Sequence, residues 1–393
     1  MSARQNLESS STFAQLPKFP LAPGKIETLE SPREFGADVL RQIANAEKRI
    51  WISALYIEND DSGRKILAAL RAAKTANPDL EIKIFVDFHR NQRTRVGEKN
   101  GEAAIDKFRG ANFEIVGVPV AKKERKGVLH TKGVVIDDTL TFSGASFNDV
   151  YLHGGEKYRV DRYWKFADKN LADSFVQYLE KVFEKSEAAQ NFTNGKVELA
   201  KNIRAAIENL RIKLRETNFE AAKNPAEVDE SQTFVAPVAG LGEDNPVTKT
   251  ILEIIAAAER EITIYTPYFN ISRDVRDALA TALENEIEVN IVVGEKTAND
   301  FYRSQKEIRE SGGKLDRKEK LKMFVLDALP FHYEQNLRKF AEKFRVEVRD
   351  EFLNIFLWED GENTFHPKGL VVDGGAVSFV TGHNINRRGD TLD

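Results

Sequence analysis

An internal repeat constrains the fold of this chain more than any other feature of its sequence. Segment Ala46–Tyr56 aligns without gaps on Ala258–Tyr268, and Glu81–Asp87 has a counterpart in Glu286–Val293. In both halves a helical pattern leads into a short apolar run of the kind that forms a buried strand. The second half is therefore predicted to be a diverged copy of the first, with one β-α-β unit in each.

A polar motif recurs with the repeat. Each copy has a His, a Lys, an Asp and a tail of small or amide residues. These residues are His130, Lys132, Asp137, Gly144, Ser146 and Asn148 in the first half and His366, Lys368, Asp373, Gly382, Asn384 and Asn386 in the second. A lone His-x-Lys arises often by chance, whereas the full pattern in both copies is specific. Because side chains alternate along a strand, each His and Lys should face the same side of a sheet.

The order of the segments predicts an α/β fold. A helix from Pro32 should lead into a strand at 50–57, then a helix near 63–76 and a strand at 81–87. Such an order favours mixed, mostly parallel β-sheets flanked by helices.

The remaining segments divide the chain into parts. Residues 134–136 and 140–142 should form a hairpin, and amphipathic patterns predict long helices at about 168–187 and 196–221. Clusters of Ser, Pro and Gly mark residues 1–31 as an extended lead-in and residues 223–246 as a linker. The two halves are then residues 32–222 and 247–393.

Composition excludes several classes of protein. The 393 residues carry a net charge of only −4, which disfavours a nucleic-acid substrate, and they include no cysteine, so disulfides and thiolate chemistry are excluded. No apolar run is long enough to span a bilayer, and residues 1–21 lack the basic-then-apolar pattern of a secretion signal.

The motif residues suit phosphoryl chemistry. One imidazole can attack phosphorus, and a second, protonated imidazole can give a proton to the leaving oxygen. The two lysines can neutralise the phosphate oxygens, while Asn148, Asn386, Ser146 and Asn384 supply neutral donors. This set of donors requires neither a metal ion nor another cofactor.

The chain resembles the phospholipase D superfamily and, more narrowly, the Gram-negative type of phosphatidylserine synthase. The narrower similarity extends over nearly the whole chain. It rests on Gly127–Asp138, Ser143–His153, Lys157–Tyr163, Thr266–Asn270, Gly294–Tyr302, Tyr333–Arg338 and Trp358–Lys368. The resemblance implies a duplicated phospholipase D-like fold with two pseudo-two-fold related sheets.

The resemblance also implies a reaction. CDP-diacylglycerol and L-serine would give phosphatidylserine and CMP by a ping-pong route through a phosphatidyl-histidine. In the family's usual assignment His130 is the nucleophile and His366 the acid and then the base, although the sequence leaves these two roles open. The family pattern gives Asp137 and Asp373 a supporting role in the fold. Asp161 is a candidate to orient a catalytic imidazole.

Other polar residues follow strand ends, where parallel sheets commonly bind ligands. His89, Arg90 and Arg93 follow the strand at 81–87, and Lys296 and Asn299 follow its counterpart in the second half. Each group either binds the cytidine diphosphate or the serine carboxylate, or forms a solvated turn.

Two basic stretches are candidates for contact with an anionic membrane surface. They comprise Lys122, Lys123, Arg125 and Lys126, and Arg317, Lys318, Lys320 and Lys322. Interleaved acidic residues make a solvated face the alternative for both. Phe324, Phe331, Phe352 and Phe356 are candidates for exposed membrane anchors, with a place in the core as the alternative. The resemblance implies a cytoplasmic enzyme bound peripherally to the inner membrane, with a basic region continuing beyond the position of Asp393. A homo-oligomer is also compatible with the sequence.

Three other functions compete with the synthase. A phospholipase D or cardiolipin-synthase-like transferase would use the same motif, but the cardiolipin type usually carries N-terminal membrane helices. A nuclease of the superfamily is disfavoured by the acidic net charge. A scaffold without catalysis conflicts with the intact His and Lys of both copies.

Overall fold

The computed structural model describes residues 2–92, 105–194, 197–221, 232–242, 245–304, 308 and 317–385, with only the backbone for 317–320 and 322. These residues form two compact units. The described residues between 15 and 247 make the first unit, and residues 2–14 join residues 248–385 in the second.

An eight-stranded sheet forms the centre of the first unit, in the order β10-β5-β4-β3-β6-β7-β9-β2. Its strands are β2 (Ile26–Leu29), β3 (Arg49–Ala54), β4 (Glu81–Asp87), β5 (Glu114–Val118), β6 (Gly133–Ile136), β7 (Thr139–Ser143), β9 (Tyr163–Phe166) and β10 (Gln190–Asn191). Outside this sheet lie β1 (Phe19–Pro20), which pairs with β11 (Phe234–Val235), and the short β8 (Arg159–Val160).

The sheet is mixed, but it is less parallel than the sequence suggested. Strands β3, β4 and β5 are parallel neighbours, while β6, β7, β9, β2 and β10 pair antiparallel. The tight turn at Asp137 and Asp138 accounts for the β6–β7 pair, since a hairpin can join only antiparallel strands. The predicted hairpin is thereby confirmed, whereas parallel pairing is confined to the β-α-β part.

Helices cover the faces of this sheet. They are α2 (Pro32–Ala44), α3 (Asp61–Ala76), α4 (Asp149–Leu152), α5 (Lys169–Leu179) and α6 (Arg204–Glu216). Ser31 caps α2 by accepting from Glu34 N at 3.1 Å, and Asp60 caps α3 through Gly63 N at 3.0 Å. Gly63 is required at that entry, because a Cβ there would lie 2.0 Å from the carbonyl oxygen of Glu58.

Two predicted helices are shorter than expected. α5 ends in a π-helical turn at Glu180–Glu184, in which Lys185 N donates to Glu180 O at 3.1 Å. α6 stops at Glu216, and the residues after it run extended. Phe219 stacks there on Tyr178, with ring centroids 4.6 Å apart, so packing has overridden the helical pattern of the sequence.

The second unit repeats the central part of the first with a five-stranded sheet in the order β14-β13-β12-β16-β17. Its strands are β12 (Glu261–Thr266), β13 (Glu288–Gly294), β14 (Leu353–Trp358), β16 (Gly369–Val372) and β17 (Val377–Val380), with the short β15 (Thr364–Phe365) outside this order. Strands β12, β13 and β14 are parallel, and the motif hairpin β16–β17 is again antiparallel. The helices are α1 (Ala3–Glu8), α7 (Pro246–Ala257), α8 (Arg273–Glu284), α9 (Arg317–Lys343) and α10 (Arg345–Arg349).

Residues 2–31 are more ordered than an extended lead-in. α1 is capped by Ser2, and Glu253 of α7 accepts hydrogen bonds from the backbone N–H groups of Thr12 and Phe13, both at 2.8 Å. The hydroxyls of Ser10 and Ser11 donate to the same carboxylate. Four donors on one carboxylate therefore attach the start of the chain to the second unit.

Among the described residues, none of the helices combines the length and apolar character needed to cross a membrane.

Candidate active site

Both motifs begin where a central strand ends. His130 and Lys132 immediately precede β6, whose first residue, Gly133, pairs with Ser53 near the end of β3. In the second unit His366 and Lys368 precede β16 in the same way, and Gly369 pairs with Tyr265 of β12. Each His-x-Lys therefore lies beside the carboxyl ends of two parallel strands, the usual position for a ligand in such sheets.

The first motif pairs a buried ammonium with a more accessible imidazole. Lys132 is 3% exposed and donates from Nζ to the carbonyl oxygen of Gly144, whereas His130 is half-buried. The hydroxyl of Ser53 donates to Thr131 O at 2.7 Å, which fixes the backbone between them. Lys132 is therefore a desolvated cation held in a fixed position.

Asp87 binds the backbone next to the first motif. Its wholly buried carboxylate accepts from Leu129 N at 2.8 Å and from Arg90 N at 2.6 Å. Burial raises the pKa of Asp87 to about 6 against the lowering effect of these two donors. The residue directly before His130 is therefore attached to the end of β4, a link that the motif pattern alone did not reveal.

The tail of the first motif forms a compact turn. Asn148 caps α4 by accepting from Tyr151 N at 3.0 Å, and its Nδ2 donates to the hydroxyl of Tyr56 at 3.3 Å. Ser146 is 1% exposed, and its Oγ has no hydrogen-bond partner within the described residues. The structure thus brings the hydroxyl of Ser146 and the amide of Asn148 onto one turn.

A cationic cluster lies beside this turn. The guanidinium of Arg90 stacks over the ring of Tyr56 at 4.6 Å and lies 3.7 Å from Glu58. Lys107, which the sequence did not indicate, donates from Nζ to Ile57 O, and burial lowers its pKa to about 8. Ile57 bridges to Phe147 between the two tail residues, so Lys107 belongs to the same region.

The other residues after β4 are placed differently. His89 lies at 2.6 Å from Ala121 O through Nε2, so its ring bonds the backbone of the neighbouring loop. Arg93, which also follows β4, lies outside the described residues. Asn386, in the tail of the second motif, lies outside them too.

The two motif aspartates occupy equivalent positions. Asp137 accepts from the backbone N–H groups of Glu47, Lys48 and Arg49 at 2.7–3.1 Å. Asp373 accepts from those of Glu259, Arg260 and Glu261 at 2.9–3.3 Å. Both residues have left-handed backbone angles, with φ of 50° and 51°. Each carboxylate therefore joins the hairpin turn to the start of a central strand.

Asp161 is buried near the end of the first motif region. Its Oδ1 accepts from Arg162 N at 2.8 Å, and its own N–H donates to the hydroxyl of Tyr163 at 3.2 Å. Burial and the charge of Asp161 raise the pKa of Tyr163 well above its ordinary value, so this phenol stays protonated. The role of Asp161 in orienting an imidazole remains a prediction.

The second motif is more deeply buried than the first. His366 is 6% exposed and Lys368 is fully buried. Lys368 Nζ lies 2.6 Å from His366 Nδ1 and donates to His366 O at 2.7 Å. The ring of Tyr268 meets the imidazole edge to face at 6.4 Å.

The tail of the second motif follows β17. His383 N donates to the hydroxyl of Thr381 at 2.9 Å, as Ala145 N donates to Ser143 in the first unit at 3.1 Å. Asn384 O accepts from the hydroxyl of Thr266 at 3.3 Å, and its buried Oδ1 has no hydrogen-bond partner in the part of the chain described here. Gly382 is buried in this turn.

The loop after β13 holds two more predicted residues. Lys296 pairs with Glu334 at 3.5 Å, and Asn299 caps a turn by accepting from Phe301 N at 2.9 Å. Their neighbour Asp300, which the sequence did not single out, accepts a hydrogen bond from the hydroxyl of Tyr268. Its place in the loop after β13, the counterpart of the loop after β4 that holds Arg90, was the only signal for it.

The basic stretches differ in what can be described. Lys122, Lys123, Arg125 and Lys126 are all exposed, and Lys122 pairs with Glu208 at 2.9 Å. Arg317, Lys318, Lys320 and Lys322 lie on α9, where only their backbone is described. Of the four phenylalanines, Phe324, Phe331 and Phe356 are at least half exposed, and Phe352 is half-buried.

Known proteins share this architecture. A family model described as "Cardiolipin synthase, PLD-like domain" matches residues 39–184 and 251–393, which include both motifs. The chain is 35% identical to the CDP-diacylglycerol–serine O-phosphatidyltransferase of Escherichia coli, over 97% of this chain and 82% of that protein. It is 36% identical to the Haemophilus influenzae enzyme of the same name, over 100% of this chain and 83% of that protein.

A solved structure agrees with these sequence matches. The crystal structure of phosphatidylserine synthase from Haemophilus influenzae superposes with a TM-score of 0.89, at 35% identity, covering 100% of this chain and 84% of that one. Similarity over the full length, and both phospholipase D-like regions, show that the chain belongs to the phospholipase D-like family and, within it, to the CDP-diacylglycerol–serine O-phosphatidyltransferases.

Proposed function

We propose that this protein is a phosphatidylserine synthase that transfers the phosphatidyl group of CDP-diacylglycerol to the hydroxyl of L-serine and releases CMP. The observation that carries the proposal is the similarity over the full length to relatives with this name, with His and Lys intact in both motifs. Desolvated lysines at both strand ends support it, because phosphoryl transfer depends chiefly on positioned positive charge.

The first half-reaction would form a phosphatidyl-histidine. The imidazole of His130 attacks the phosphorus attached to diacylglycerol, and the bond from phosphorus to the CMP oxygen breaks. His366 gives its proton to the departing CMP. Lys132 and Lys368 neutralise the phosphate oxygens while charge builds on them, and Asn148 and Asn386 donate to the same centre.

The second half-reaction would regenerate the enzyme. His366, now unprotonated, takes the proton from the serine hydroxyl, and the serine oxygen attacks the phosphorus. The bond from phosphorus to His130 breaks and phosphatidylserine leaves. The proton returns to His366, so the cycle is balanced without a cofactor.

The cationic cluster of the first unit is a candidate to bind the diphosphate of CDP-diacylglycerol. Arg90 and Lys107 lie within one region beside the motif tail, and Arg90 is already oriented by the Tyr56 ring. Oriented cations of this kind bind phosphate oxygens with less loss of side-chain entropy. We include Ser146, Gly144, Asn384 and Gly382 among the residues that surround the phosphate.

The deciding assay supplies labelled L-serine and CDP-diacylglycerol in mixed micelles and measures phosphatidylserine and CMP together. Equal amounts of both products are expected. Product with water or glycerol but none with serine would reject the synthase and favour a phospholipase D or a cardiolipin-synthase-like transferase.

Exchange of labelled CMP into CDP-diacylglycerol without serine tests the covalent route. Exchange requires the first half-reaction alone, so His130→Ala should abolish it. His332→Ala, at an exposed position of α9, is the matched control and should keep it. Exchange that survives His130→Ala would exclude His130 as the nucleophile.

We also propose that the enzyme works at the cytoplasmic face of the inner membrane, where a lipid substrate must be reached from water. On α9 the side chains of Leu321, Phe324 and Val325 are 66%, 72% and 56% exposed. Their spacing places them on one face of the helix, and Arg317 to Lys322 add positive charge in sequence.

We also propose that residues 32–222 and 247–393 each form one phospholipase D-like half.

Vesicle binding checks the membrane proposal. Leu321→Ser with Phe324→Ser should weaken sedimentation with vesicles that contain anionic lipid by at least roughly tenfold. Ile212→Ser, on the exposed face of α6, is the control. Equal binding of the two variants would contradict a docking role for α9.

A further inference from the structure

The two units place opposite charges at equivalent tyrosines. Tyr56 and Tyr268 occupy the same position of the internal repeat, just after β3 and β12. Over the ring of Tyr56 lies the guanidinium of Arg90, whereas the hydroxyl of Tyr268 donates to the carboxylate of Asp300. Arg90 and Asp300 come from equivalent loops, after β4 and β13. The charged group that contacts the tyrosine is therefore a cation in the first unit and an anion in the second.

Aromatic rings surround Tyr268, the residue that donates to the carboxylate of Asp300. The Tyr268 ring packs against Phe301 at 5.5 Å and Tyr333 at 5.3 Å, and its edge-to-face contact with His366 places the group beside the second motif. Asp300 itself is only partly buried. A carboxylate among aromatic rings is the chemistry that binds an ammonium ion, by charge and by cation–π attraction.

We propose that Asp300 binds the ammonium group of the acceptor amino acid and that Tyr268 is the positioning residue that holds it. This inference rests on the proposed synthase function and names the group that selects the acceptor. L-Serine differs from water and glycerol in carrying an ammonium, and from glycerol 3-phosphate in lacking a phosphate. A carboxylate joined through Tyr268 to the region of His366 attracts the first feature and repels the second.

The test compares Asp300→Asn with the unmodified enzyme. Asparagine keeps the shape and can still accept from Tyr268, but it lacks the charge. The KM for L-serine should rise roughly tenfold to a hundredfold, as expected for the loss of one charged hydrogen bond. The KM for CDP-diacylglycerol and the rate of CMP exchange without serine measure how the substitution affects the binding and reaction of CDP-diacylglycerol. Asp350→Asn is the control, because Asp350 is an exposed residue of the same unit paired with Arg349.

Acceptor analogues sharpen the readout. 3-Hydroxypropanoate keeps the hydroxyl and carboxylate of serine but lacks the ammonium. The unmodified enzyme should prefer serine strongly over this analogue and over glycerol 3-phosphate, and Asp300→Asn should lose most of both preferences. Tyr268→Phe should raise the KM for serine by a smaller factor, since the carboxylate remains but is less well held.

The outcomes separate this inference from the proposed function. If the unmodified enzyme makes no phosphatidylserine, the synthase proposal itself fails. If it does, and Asp300→Asn matches Asp350→Asn in serine KM and in acceptor preference, the assignment of Asp300 is overturned. Loss of CMP exchange in Asp300→Asn that Asp300→Glu does not restore would also overturn it, because Asp300 would then serve the phosphate step or the fold.

Discussion

Lys368 Nζ lies 2.6 Å from Nδ1 of His366, and both side chains are buried. An ammonium group can only donate, so Nδ1 accepts and the proton of the neutral ring is on Nε2. This contact therefore selects one tautomer of neutral His366, the one with its proton on Nε2. The protonated ring that gives a proton to CMP carries a proton on Nδ1 as well, so Lys368 must leave that nitrogen before His366 can act as the acid.

Replacing Lys368 with Met should remove both the tautomer preference and a phosphate donor. We expect synthase activity to fall by roughly a hundredfold or more, as for loss of one preorganised donor at a transition state. In nitrogen-15 spectra, the ring signals of His366 should shift toward a tautomer mixture. Lys339→Met, at an exposed position on α9, is the control. Activity within a few-fold of this control would contradict the prediction.

Asp137→Ala and Asp373→Ala should act on stability. Each carboxylate accepts from three consecutive backbone N–H groups. Truncation to alanine removes the acceptor of all three donors. The free energy of unfolding should fall by about 2 kcal/mol in each variant, measured by urea titration. Asp138→Ala is the control for the first, because Asp138 is 44% exposed and forms only long ion pairs, with Lys48 at 3.8 Å and Arg49 at 3.9 Å. An unchanged urea midpoint with lost CMP exchange would instead indicate a direct role in catalysis.

Substitutions of Asn148 should separate its role as the cap of α4 from its proposed role as a donor to the phosphate. Asn148→Asp preserves the cap on α4, so stability should stay within about 0.5 kcal/mol, while the added negative charge should lower activity by roughly a hundredfold. Asn148→Ala loses the cap and should cost about 1 kcal/mol. Thermal unfolding and synthase assays on both variants check this, and full activity in Asn148→Asp would remove Asn148 from the phosphate site.

Asp87 should make stability depend on pH. Burial raises its pKa in the folded protein to about 6 from an ordinary value of 3.8, so the folded state favours the protonated carboxyl. The stability it contributes is present below 3.8 and is lost as the pH rises through about 6, a change of about 3 kcal/mol. The difference in unfolding free energy between the unmodified protein and Asp87→Asn should fall over this range and stay flat above pH 7. A difference that is flat from pH 4 to 7 would show that the carboxyl does not titrate there.

Local patterns were enough to predict the repeated part of the fold. Apolar runs and turn residues indicated β3, β4 and the β6–β7 hairpin, because each depends on a few adjacent residues. The same patterns could not give the antiparallel neighbours of that hairpin. They also missed the early end of α6, which depends on Phe219 packing on Tyr178, a residue distant in sequence.

Sequence patterns predicted the residues of the candidate site that belong to the two motifs. His, Lys and Asn positions follow from spacing, but Asp87, Lys107 and Asp300 do not. Asp87 and Lys107 act through backbone groups of other segments, at Leu129 and Ile57, and Asp300 through a tyrosine just after a neighbouring strand. Such contacts arise only when the sheet brings strand ends together, and no regular spacing in the sequence predicts them.

Attachment of residues 2–14 to Glu253 has a consequence for the order of synthesis. Residues 2–14 pack into the same unit as residues 248–385, and the whole first unit lies between them in the sequence. The donors of Ser10, Ser11, Thr12 and Phe13 can reach Glu253 only once the ribosome has synthesised the first unit and α7. The second unit therefore cannot be completed during translation of the first.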